Sequence, residues 1–339
     1  MPAESDEPLT PRLSRKPRVI VTRRLLPAVE TRMRELFDAE FNIADAPMDR
    51  AALVAAMAGA DVLVPTVTDR IDGEMIAAAG EQLRLIANFG AGIEHIDLAA
   101  ARARRIVVTN TPGVFTDDTA DLAMALIIAV PRRLAEGVRM LLTGQWQGWG
   151  PTDLLGNQLG GKVLGIVGMG RIGQAVAHRA RAFGLDVVYH NRHRLPAAHE
   201  NMLGARFVAH LDTLIAQADI LTLHCPASAE TRGLISAARI AAMKPGAVLI
   251  NTARGDLIDE EALIAALGDG TLGGAGLDVY AREPAIDPRL LALANVVALP
   301  HMGSATIEGR EASGERVIAN IRFWADGHRP PDQVLEGWL

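Results

Sequence analysis

Cysteine is nearly absent from the sequence: Cys225 is the only one among its 339 residues. A disulfide framework within the chain is therefore excluded, and the composition suits a reducing compartment such as the cytoplasm. Cys225 follows the apolar run 220–223. That context favours a small buried side chain over a reactive nucleophile.

Long apolar runs and an excess of positive charge are also missing. No run reaches the roughly 20 residues that a membrane-spanning helix needs, so we expect no membrane partner. The formal net charge is −6 at pH 7, whereas nucleic-acid binding requires a basic face, so no nucleic-acid partner is expected. Residues 1–18 are polar and contain proline, which is typical of a tail and not of a secretion signal.

What is present is the composition of a globular protein, with 49% hydrophobic and 22% charged residues and enough length for two domains. Short apolar segments alternate with helical stretches along most of the chain, which predicts parallel α/β sheets. The segments that we expect to be strands are 19–21, 61–64, 83–87, 106–108, 163–167, 187–189, 220–223, 248–250, 277–279 and 296–299.

The glycine-rich stretch 165–173 is the strongest local signal. It follows an apolar strand and leads into a helix, with glycines at Gly168, Gly170 and Gly173. In a dinucleotide-binding turn the first glycine permits the turn, the second lets a pyrophosphate approach, and the third lets the helix pack on the strand. The pattern therefore predicts a dinucleotide site.

Residues 117–142 read as one long, alanine-rich helix that begins with acidic residues, and Pro131 is the place where it can break. We interpret this helix as a connector between the domains. The turn-rich stretch 144–161, which contains Trp146 and Trp149, follows it.

Polar side chains follow three successive strands in the second half of the chain: Arg254, then Asp278 with Glu283, then His301. Ligands bind at the carboxyl ends of strands in open α/β sheets. Each residue alone has an ordinary structural interpretation. Three such loops behind a dinucleotide motif favour an active site, and no metal-binding set is assigned.

Several short stretches of a known family occur in the same order along this chain: 88–92, 110–113, 165–173, 251–255, 276–279 with 283–284, and 300–306. Through them the sequence resembles the D-isomer-specific 2-hydroxyacid dehydrogenases, from about residue 19 to 326. Residues 68–72 and 144–151 make it most similar to the glyoxylate/hydroxypyruvate reductases of that family.

The resemblance implies two doubly wound parallel-sheet domains, with a Rossmann cofactor domain inserted in a flavodoxin-like substrate domain. The expected boundaries are a disordered tail at 1–16, a substrate domain at 17–111 with 304–339, and a cofactor domain at 112–303. The active site would lie in the cleft between the domains.

The resemblance also implies NAD(P)H-dependent reduction of a small 2-oxo acid such as glyoxylate or hydroxypyruvate. His301 would be the general acid, Glu283 would orient it and stabilise its charged form, and Arg254 would hold and polarise the substrate. Substrate contacts would include Ala91, Gly92, Ser304 and, across a homodimer interface, Trp149. The alternative for the tryptophans is packing within the connector.

The cofactor contacts that the resemblance implies form a longer set. They are Thr119, Gly168, Met169, Gly170, Arg171, Ile172, Gly173, Asn191, Arg192, Arg194, His224, Pro226, Thr231, Thr252, Ala253, Asp278, His301 and Gly303.

The end of the second cofactor-domain strand departs from the NAD-specific pattern. Asn191 stands where an acidic residue would bind the ribose 2′-hydroxyl, and Arg192 and Arg194 follow it. This arrangement predicts NADP as the preferred cofactor with NAD possible, and the alternative is that the arginines form only a solvated turn.

Other functions fit the sequence less well. Formate dehydrogenases share the run 192–195 but pair the histidine with glutamine, where this chain has Glu283. A dinucleotide-sensing corepressor and another D-2-hydroxyacid dehydrogenase remain as alternatives. The complete set of Arg254, Glu283 and His301 favours an enzyme over the sensor.

Overall fold

The computed structural model describes residues 14–335, which divide into two units. Unit 1 comprises the described residues up to Phe115 and from Ala305 onward, and unit 2 is Thr116–Ser304. The sequence predicted these divisions at 111/112 and 303/304. Within the described range, no helix has the length and apolarity that crossing a membrane requires.

Among the described residues, twelve strands form the two sheets: β1 (Arg18–Val21), β2 (Asp38–Phe41), β3 (Val62–Val64), β4 (Leu85–Ala87), β5 (Val107–Thr109), β6 (Val163–Val167), β7 (Asp186–His190), β8 (Ala205–Phe207), β9 (Ile220–Leu223), β10 (Val248–Asn251), β11 (Gly274–Leu277) and β12 (Val296–Ala298).

The α-helices are α1 (Pro27–Leu36), α2 (Arg50–Gly59), α3 (Gly73–Ala78), α4 (Leu98–Ala103), α5 (Thr116–Ala129), α6 (Leu134–Leu142), α7 (Arg171–Ala182), α8 (Ala197–Leu203), α9 (Leu211–Gln217), α10 (Ala237–Ala241), α11 (Glu260–Gly268), α12 (Pro288–Ala292) and α13 (Ile307–Ala325).

Unit 1 holds a five-stranded parallel sheet in the order β2-β1-β3-β4-β5, which is the flavodoxin-like order. The inner strands β3 and β4 are fully buried, because helices cover both faces of a doubly wound sheet. The edge strand β2 has an alternating, half-exposed pattern. Its polar sequence explains why the search for apolar runs missed it.

Unit 2 holds a seven-stranded parallel sheet in the order β12-β11-β10-β9-β6-β7-β8. Counted from β6, this is the Rossmann order with one further strand, and the order reverses between β6 and β9. Both predicted fold types are therefore confirmed. The reversal point is where a dinucleotide binds in such sheets.

The register of unit 2 brings the predicted site residues to one edge. Asn251 pairs with Leu277, and Leu277 pairs with Ala298, so β10, β11 and β12 end level with one another. On the other side of the reversal, Val167 pairs with both His190 and Leu223. The loops that follow these six strands therefore lie along the same carboxyl edge.

The predicted helical stretch 117–142 is two helices, α5 and α6, and they are separated next to Pro131, where the sequence allowed a break. Arg133 has a left-handed backbone, with φ of 53°, just after Pro131, and this conformation ends one helix and starts the next. Helix α5 lies within unit 2, where it packs against α7, β10 and β11, and its buried alanines belong to the core of that unit. It is part of that core and not a connector.

The predicted disordered tail, 1–16, falls largely on residues 1–13, which lie outside the described range. The prediction does not hold for its last residues. Arg15 forms a bidentate ion pair with the buried carboxylate of Asp61, with N–O distances of 2.6 and 2.8 Å. Lys16 donates to the carbonyl of Glu35 at 2.6 Å.

Candidate active site

The glycine-rich turn after β6 has a different geometric demand at each glycine. Gly168 has a φ of 96°, and a Cβ there would lie 2.7 Å from the backbone of His224. A Cβ on Gly173 would lie 2.2 Å from the Gly168 carbonyl oxygen. Gly170 instead faces open space and is the N-cap residue of α7. These residues fit a dinucleotide, because nothing obstructs the approach to the Gly170 backbone and the free N–H groups at the start of α7 follow directly.

The neighbours of these glycines differ in exposure. Met169 is buried in the core beneath the turn, Ile172 is half-buried, and the Arg171 side chain is exposed at the first residue of α7. Gln174 ties the turn down by donating from Nε2 to the Met169 carbonyl at 3.1 Å. The turn is thus fixed before any ligand binds.

The three strand-end loops bring His301 and Glu283 together. His301 Nδ1 lies 2.6 Å from Glu283 Oε2, and both side chains are about one-third exposed. A carboxylate oxygen can only accept, so Nδ1 carries the proton and Nε2 is the nitrogen left for a substrate. His301 has a φ of 53°, a left-handed conformation that is unusual for a residue with a side chain and is frequent at functional sites.

The Glu283 carboxylate is held at both oxygens, because Oε1 accepts from the Tyr280 backbone N–H at 3.0 Å. Burial acts to raise the pKa of Glu283, but the His301 hydrogen bond, the Tyr280 N–H and the charge of Arg254 together hold the pKa below its ordinary value. Glu283 is therefore a carboxylate at neutral pH, as a partner for imidazolium must be.

Arg254 lies on a loop whose backbone is held by the side chain of Asn251. Asn251, fully buried at the end of β10, donates to the Arg254 carbonyl at 2.8 Å and accepts from the Ala253 N–H at 3.0 Å. A Cβ on Gly255 would lie 2.0 Å from the carbonyl group of Tyr280. The loop that carries Arg254 is therefore pressed against the backbone that leads to Glu283.

Asp278 is a buried carboxylate that holds the turn after His301. Its two oxygens accept from the N–H groups of Met302 and Gly303, each at 2.8 Å. Burial raises the pKa of Asp278, although both N–H groups act in the opposite direction. Thr119 of α5 donates to the Gly303 carbonyl at 3.0 Å, which joins a third predicted residue to the same turn.

The loop after β7 is more exposed. Asn191 donates from its side chain to the His193 carbonyl at 3.0 Å, so its amide shapes the turn. Arg192 is exposed, and its charge contributes to lowering the pKa of Glu230, after the larger effects of Ser228 and the Glu230 backbone. Of the three residues predicted to select the cofactor, Arg192 and Arg194 are exposed and Asn191 is half-buried.

Arg194 is engaged with a buried carboxylate. Its Nε and Nη2 donate to the two oxygens of Glu200 at 2.9 and 2.8 Å. Tyr189 donates its hydroxyl to the same carboxylate at 2.7 Å and accepts from the Leu195 N–H at 2.9 Å. Nη1 is the nitrogen of Arg194 that remains for a ligand.

The loop after β9 carries four further residues of interest. His224 lies 2.9 Å from the Thr222 hydroxyl through Nε2, and burial lowers its pKa to about 4. Thr231 donates to the Pro226 carbonyl at 2.7 Å. Burial raises the pKa of the Cys225 thiol to about 11, which agrees with the structural interpretation of that residue.

The remaining predicted contacts of unit 2 lie beside the loops already described. Thr252 is buried in the Arg254 loop, and its hydroxyl has no hydrogen-bond partner among residues 14–335. Ser304 is half-buried where unit 2 ends. Trp149 is 84% exposed in the irregular stretch after α6.

In unit 1 the predicted carboxylate loop follows β4. Ala91 is exposed and Gly92 is half-buried. Asn88 and Asn110, the residues directly after β4 and β5, both donate to carbonyl groups of this loop.

Four residues that support the site were not predicted from the sequence, and none of them is among the expected ligand contacts: Asn251, Tyr280, Glu200 and Asn88. Tyr280 donates to the Leu299 carbonyl at 2.8 Å, and burial raises its pKa to about 12. The available signal was an asparagine directly after an apolar strand, a position where its amide can hold the loop backbone.

Comparison with known proteins gives one family match and several similar relatives. Residues 124–303 match the family model described as D-isomer specific 2-hydroxyacid dehydrogenase, NAD binding domain. The chain is 43% identical to a glyoxylate reductase of Thermococcus litoralis over 323 residues, which cover 94% of this chain and 97% of that relative.

Two solved structures are similar over nearly their whole lengths. A glyoxylate reductase of Paecilomyes thermophila has a TM-score of 0.84 and 33% identity, covering 95% of this chain and 99% of that one. An NADPH-dependent glyoxylate/hydroxypyruvate reductase of Sinorhizobium meliloti, solved with NADP and malonate, has a TM-score of 0.83 and 34% identity, covering 95% and 98%.

Proposed function

The chain belongs to the D-isomer-specific 2-hydroxyacid dehydrogenase family, whose members interconvert 2-oxo and 2-hydroxy acids, and we propose that it reduces glyoxylate or hydroxypyruvate with NADPH as the preferred cofactor. The observation that carries the chemistry is the 2.6 Å contact between His301 and Glu283, in loops level with the one that bears Arg254.

His301 donates the proton that the carbonyl oxygen takes up. Nε2 is the donor, because Glu283 holds Nδ1. Since Glu283 is ionised and its pKa is held low, it stabilises the imidazolium form before the proton leaves and orients the ring. In the reverse direction the same nitrogen accepts the proton from the hydroxy acid.

Arg254 binds the substrate carboxylate and the carbonyl oxygen, where negative charge develops. The N–H groups of Ala91 and Gly92 bind the carboxylate as well, and Ser304 is a further polar contact. A guanidinium with two directed donors suits a 2-oxo acid, in which two oxygen acceptors lie side by side.

The residues that would hold the cofactor lie along the carboxyl edge of the unit 2 sheet. When bound, the reduced nicotinamide supplies the hydride. Gly170 and the first N–H groups of α7 would hold the pyrophosphate, and Asp278 would bind the nicotinamide carboxamide. The other contacts are Thr119, Met169, Arg171, Ile172, His224, Pro226, Thr231, Thr252, Ala253 and Gly303.

The preference for NADPH comes from the loop after β7. Asn191 has no charge to repel a 2′-phosphate, and Arg192 has an exposed guanidinium that is free to approach one. Arg194 contributes only through Nη1, because Glu200 occupies its other two nitrogens. The Sinorhizobium meliloti relative is described as NADPH-dependent, which supports this assignment.

A homodimer is the assembly that the surface favours. No residue of α6 is buried, and the exposed residues Leu134, Val138, Leu141 and Leu142 make an apolar stripe at helical spacing. A second copy would cover this stripe and bring Trp149 to the neighbouring subunit. Size-exclusion chromatography of wild type and Leu141→Glu tests the assembly. We expect wild type to be a dimer and the variant to be a monomer. A wild-type protein that is monomeric and fully active would contradict the proposed dimer.

A turnover assay tests the function directly. Purified protein is assayed with a panel of 2-oxo acids and both cofactors, and we expect the highest kcat/KM with glyoxylate or hydroxypyruvate and NADPH. A dinucleotide sensor would bind cofactor and reduce none of the panel. Trp149→Ala should change the ranking of substrates more than it changes the melting temperature.

A further inference from the structure

Three successive carbonyl groups of the unit 1 loop are bound to side-chain amides. Asn88 Nδ2 donates to the Gly90 carbonyl at 3.0 Å and to the Gly92 carbonyl at 2.8 Å. Asn110 Nδ2 donates to the intervening Ala91 carbonyl at 2.7 Å. Among residues 14–335, the N–H groups of Ala91 and Gly92 have no acceptor.

A histidine fixes the direction of the first amide. His95 Nε2 lies 3.0 Å from Asn88 Oδ1. Because both protons of the Asn88 amide go to carbonyls, the oxygen must face the ring and His95 Nε2 must be the donor. The bond therefore persists whether the imidazole is neutral or charged.

The sheet places these amides where they can act together. Ala87 of β4 pairs with Thr109 of β5, so Asn88 and Asn110 each occupy the first position after two level strands. Asn88 is almost fully buried, and its own N–H donates to the Thr109 carbonyl at 2.9 Å. A buried amide held on all sides cannot follow the loop if the loop moves.

We propose that Asn88, held by His95, and Asn110 are positioning residues that keep the N–H groups of Ala91 and Gly92 ready to bind the substrate carboxylate. This inference rests on the proposed function, in which that loop binds the carboxylate. Because their carbonyl groups are held by the amides, they cannot turn toward the anion. The N–H groups of Ala91 and Gly92 can therefore bind it without rearrangement of the loop.

The variants isolate the donors from the fold. Asn88→Asp keeps the size of the side chain and removes both donated hydrogen bonds, and we expect the KM for glyoxylate to rise about 10- to 100-fold, since a small misplacement of a binding group costs that much. The KM for NADPH should stay within about twofold, because the cofactor residues lie elsewhere in the chain. His95→Gln, which retains a donor, should keep most of the affinity that His95→Leu loses.

Asn42→Ala is the matched control. Asn42 Nδ2 also donates to two carbonyls of unit 1, those of Thr22 and Ala46, at 2.8 and 2.7 Å, beside the edge strand β2. This variant should lower the melting temperature without changing the KM for glyoxylate. An equal rise in KM for Asn42→Ala and Asn88→Asp would overturn the proposal.

A readout without turnover separates this proposal from the function. In the protein without ligands, backbone hydrogen exchange of segment 89–93 should be faster in Asn88→Asp than in wild type, whereas exchange in the glycine-rich turn of unit 2 should not change. If wild type fails to reduce any 2-oxo acid, the proposed function is wrong, and the exchange result still tests whether Asn88 holds the loop. Unchanged hydrogen exchange in Asn88→Asp, or an unchanged KM in an active enzyme, overturns the proposal that Asn88 positions the loop.

Discussion

The two sides of the unit 2 sheet treat charge in different ways. At the ends of β10–β12, His301 and Glu283 are paired with side chains about one-third exposed, Asp278 holds the His301 loop, and Asn251 holds the neighbouring Arg254 loop. At the end of β7, Arg192 is exposed on a short turn. One side is fixed by buried hydrogen bonds, and the other presents its charge to solvent.

This difference indicates which property each side can change. Buried paired groups lose much when one partner is removed, since the other is left without compensation. An exposed arginine contributes only the modest energy of a solvated contact. We therefore expect chemistry to depend steeply on the first side and cofactor choice to depend mildly on the second.

The largest effect should follow His301→Ala. Removal of the proton donor should lower kcat about 10²- to 10⁴-fold, the usual contribution of general acid–base catalysis, with cofactor affinity nearly unchanged. Steady-state kinetics measures kcat, and titration with the cofactor measures its affinity. His210→Ala changes an exposed histidine outside the site and serves as the control. Full activity in His301→Ala would remove this residue from the mechanism.

A smaller loss should follow Glu283→Gln, about 10- to 100-fold, the range typical for losing a residue that orients a functional histidine. The imidazolium also loses the negative charge that stabilises it. Losing this negative partner should therefore change how kcat depends on pH. A pH profile of kcat with the same shape in both proteins would show that the pairing does not act in catalysis.

On the exposed side, Arg192→Ala should lower the preference for NADPH over NADH about tenfold, the lower end of the range for a charge-assisted contact. Most of the change should appear in cofactor KM, because the phosphate does not react. Arg206→Ala, an exposed arginine of β8, is the control. Asn191→Asp should move preference further toward NADH. Equal kcat/KM with both cofactors in wild type would contradict the assignment.

The smallest effect concerns Glu200, whose pKa is lowered first by Arg194 and then by Tyr189. Since its pKa falls on folding, ionised Glu200 stabilises the folded chain above its unfolded pKa, and this contribution is lost as pH falls through the lower folded value. Glu200→Gln should therefore lower the melting temperature at pH 7, and the difference from wild type should shrink as the pH falls below the unfolded pKa. The exposed carboxylate of Asp186, changed to asparagine, should show no such dependence.

The sequence was sufficient for the parallel strands and the glycine-rich turn, because buried strands are continuous apolar runs and each glycine answers a local demand. It also brought Arg254, Asp278 and His301 to one edge, since parallel strands end together. The two edge strands β2 and β8 were not predicted, because short, partly exposed strands lack a continuous apolar run, and although Pro131 indicated where the helix could break, the left-handed Arg133 depends on tertiary context.

The partners that hold the site were beyond the sequence as well. The bond from Asn88 to Gly92 spans few residues, but its direction depends on His95. Likewise, a run of arginines after β7 suggests two equal phosphate ligands. Only the fold shows that Glu200, from the following helix, already holds Arg194.

The contact of Gly255 with the Tyr280 backbone has a consequence for sequence variation. Any side chain at 255 would have to occupy space that main-chain atoms fill, and main chain cannot rotate away as a side chain does. In a saturation library selected for growth on this activity, position 255 should tolerate as few substitutions as position 301. Depletion of variants would then mark two different things: a reacting atom at one position, and the thickness of a polypeptide at the other.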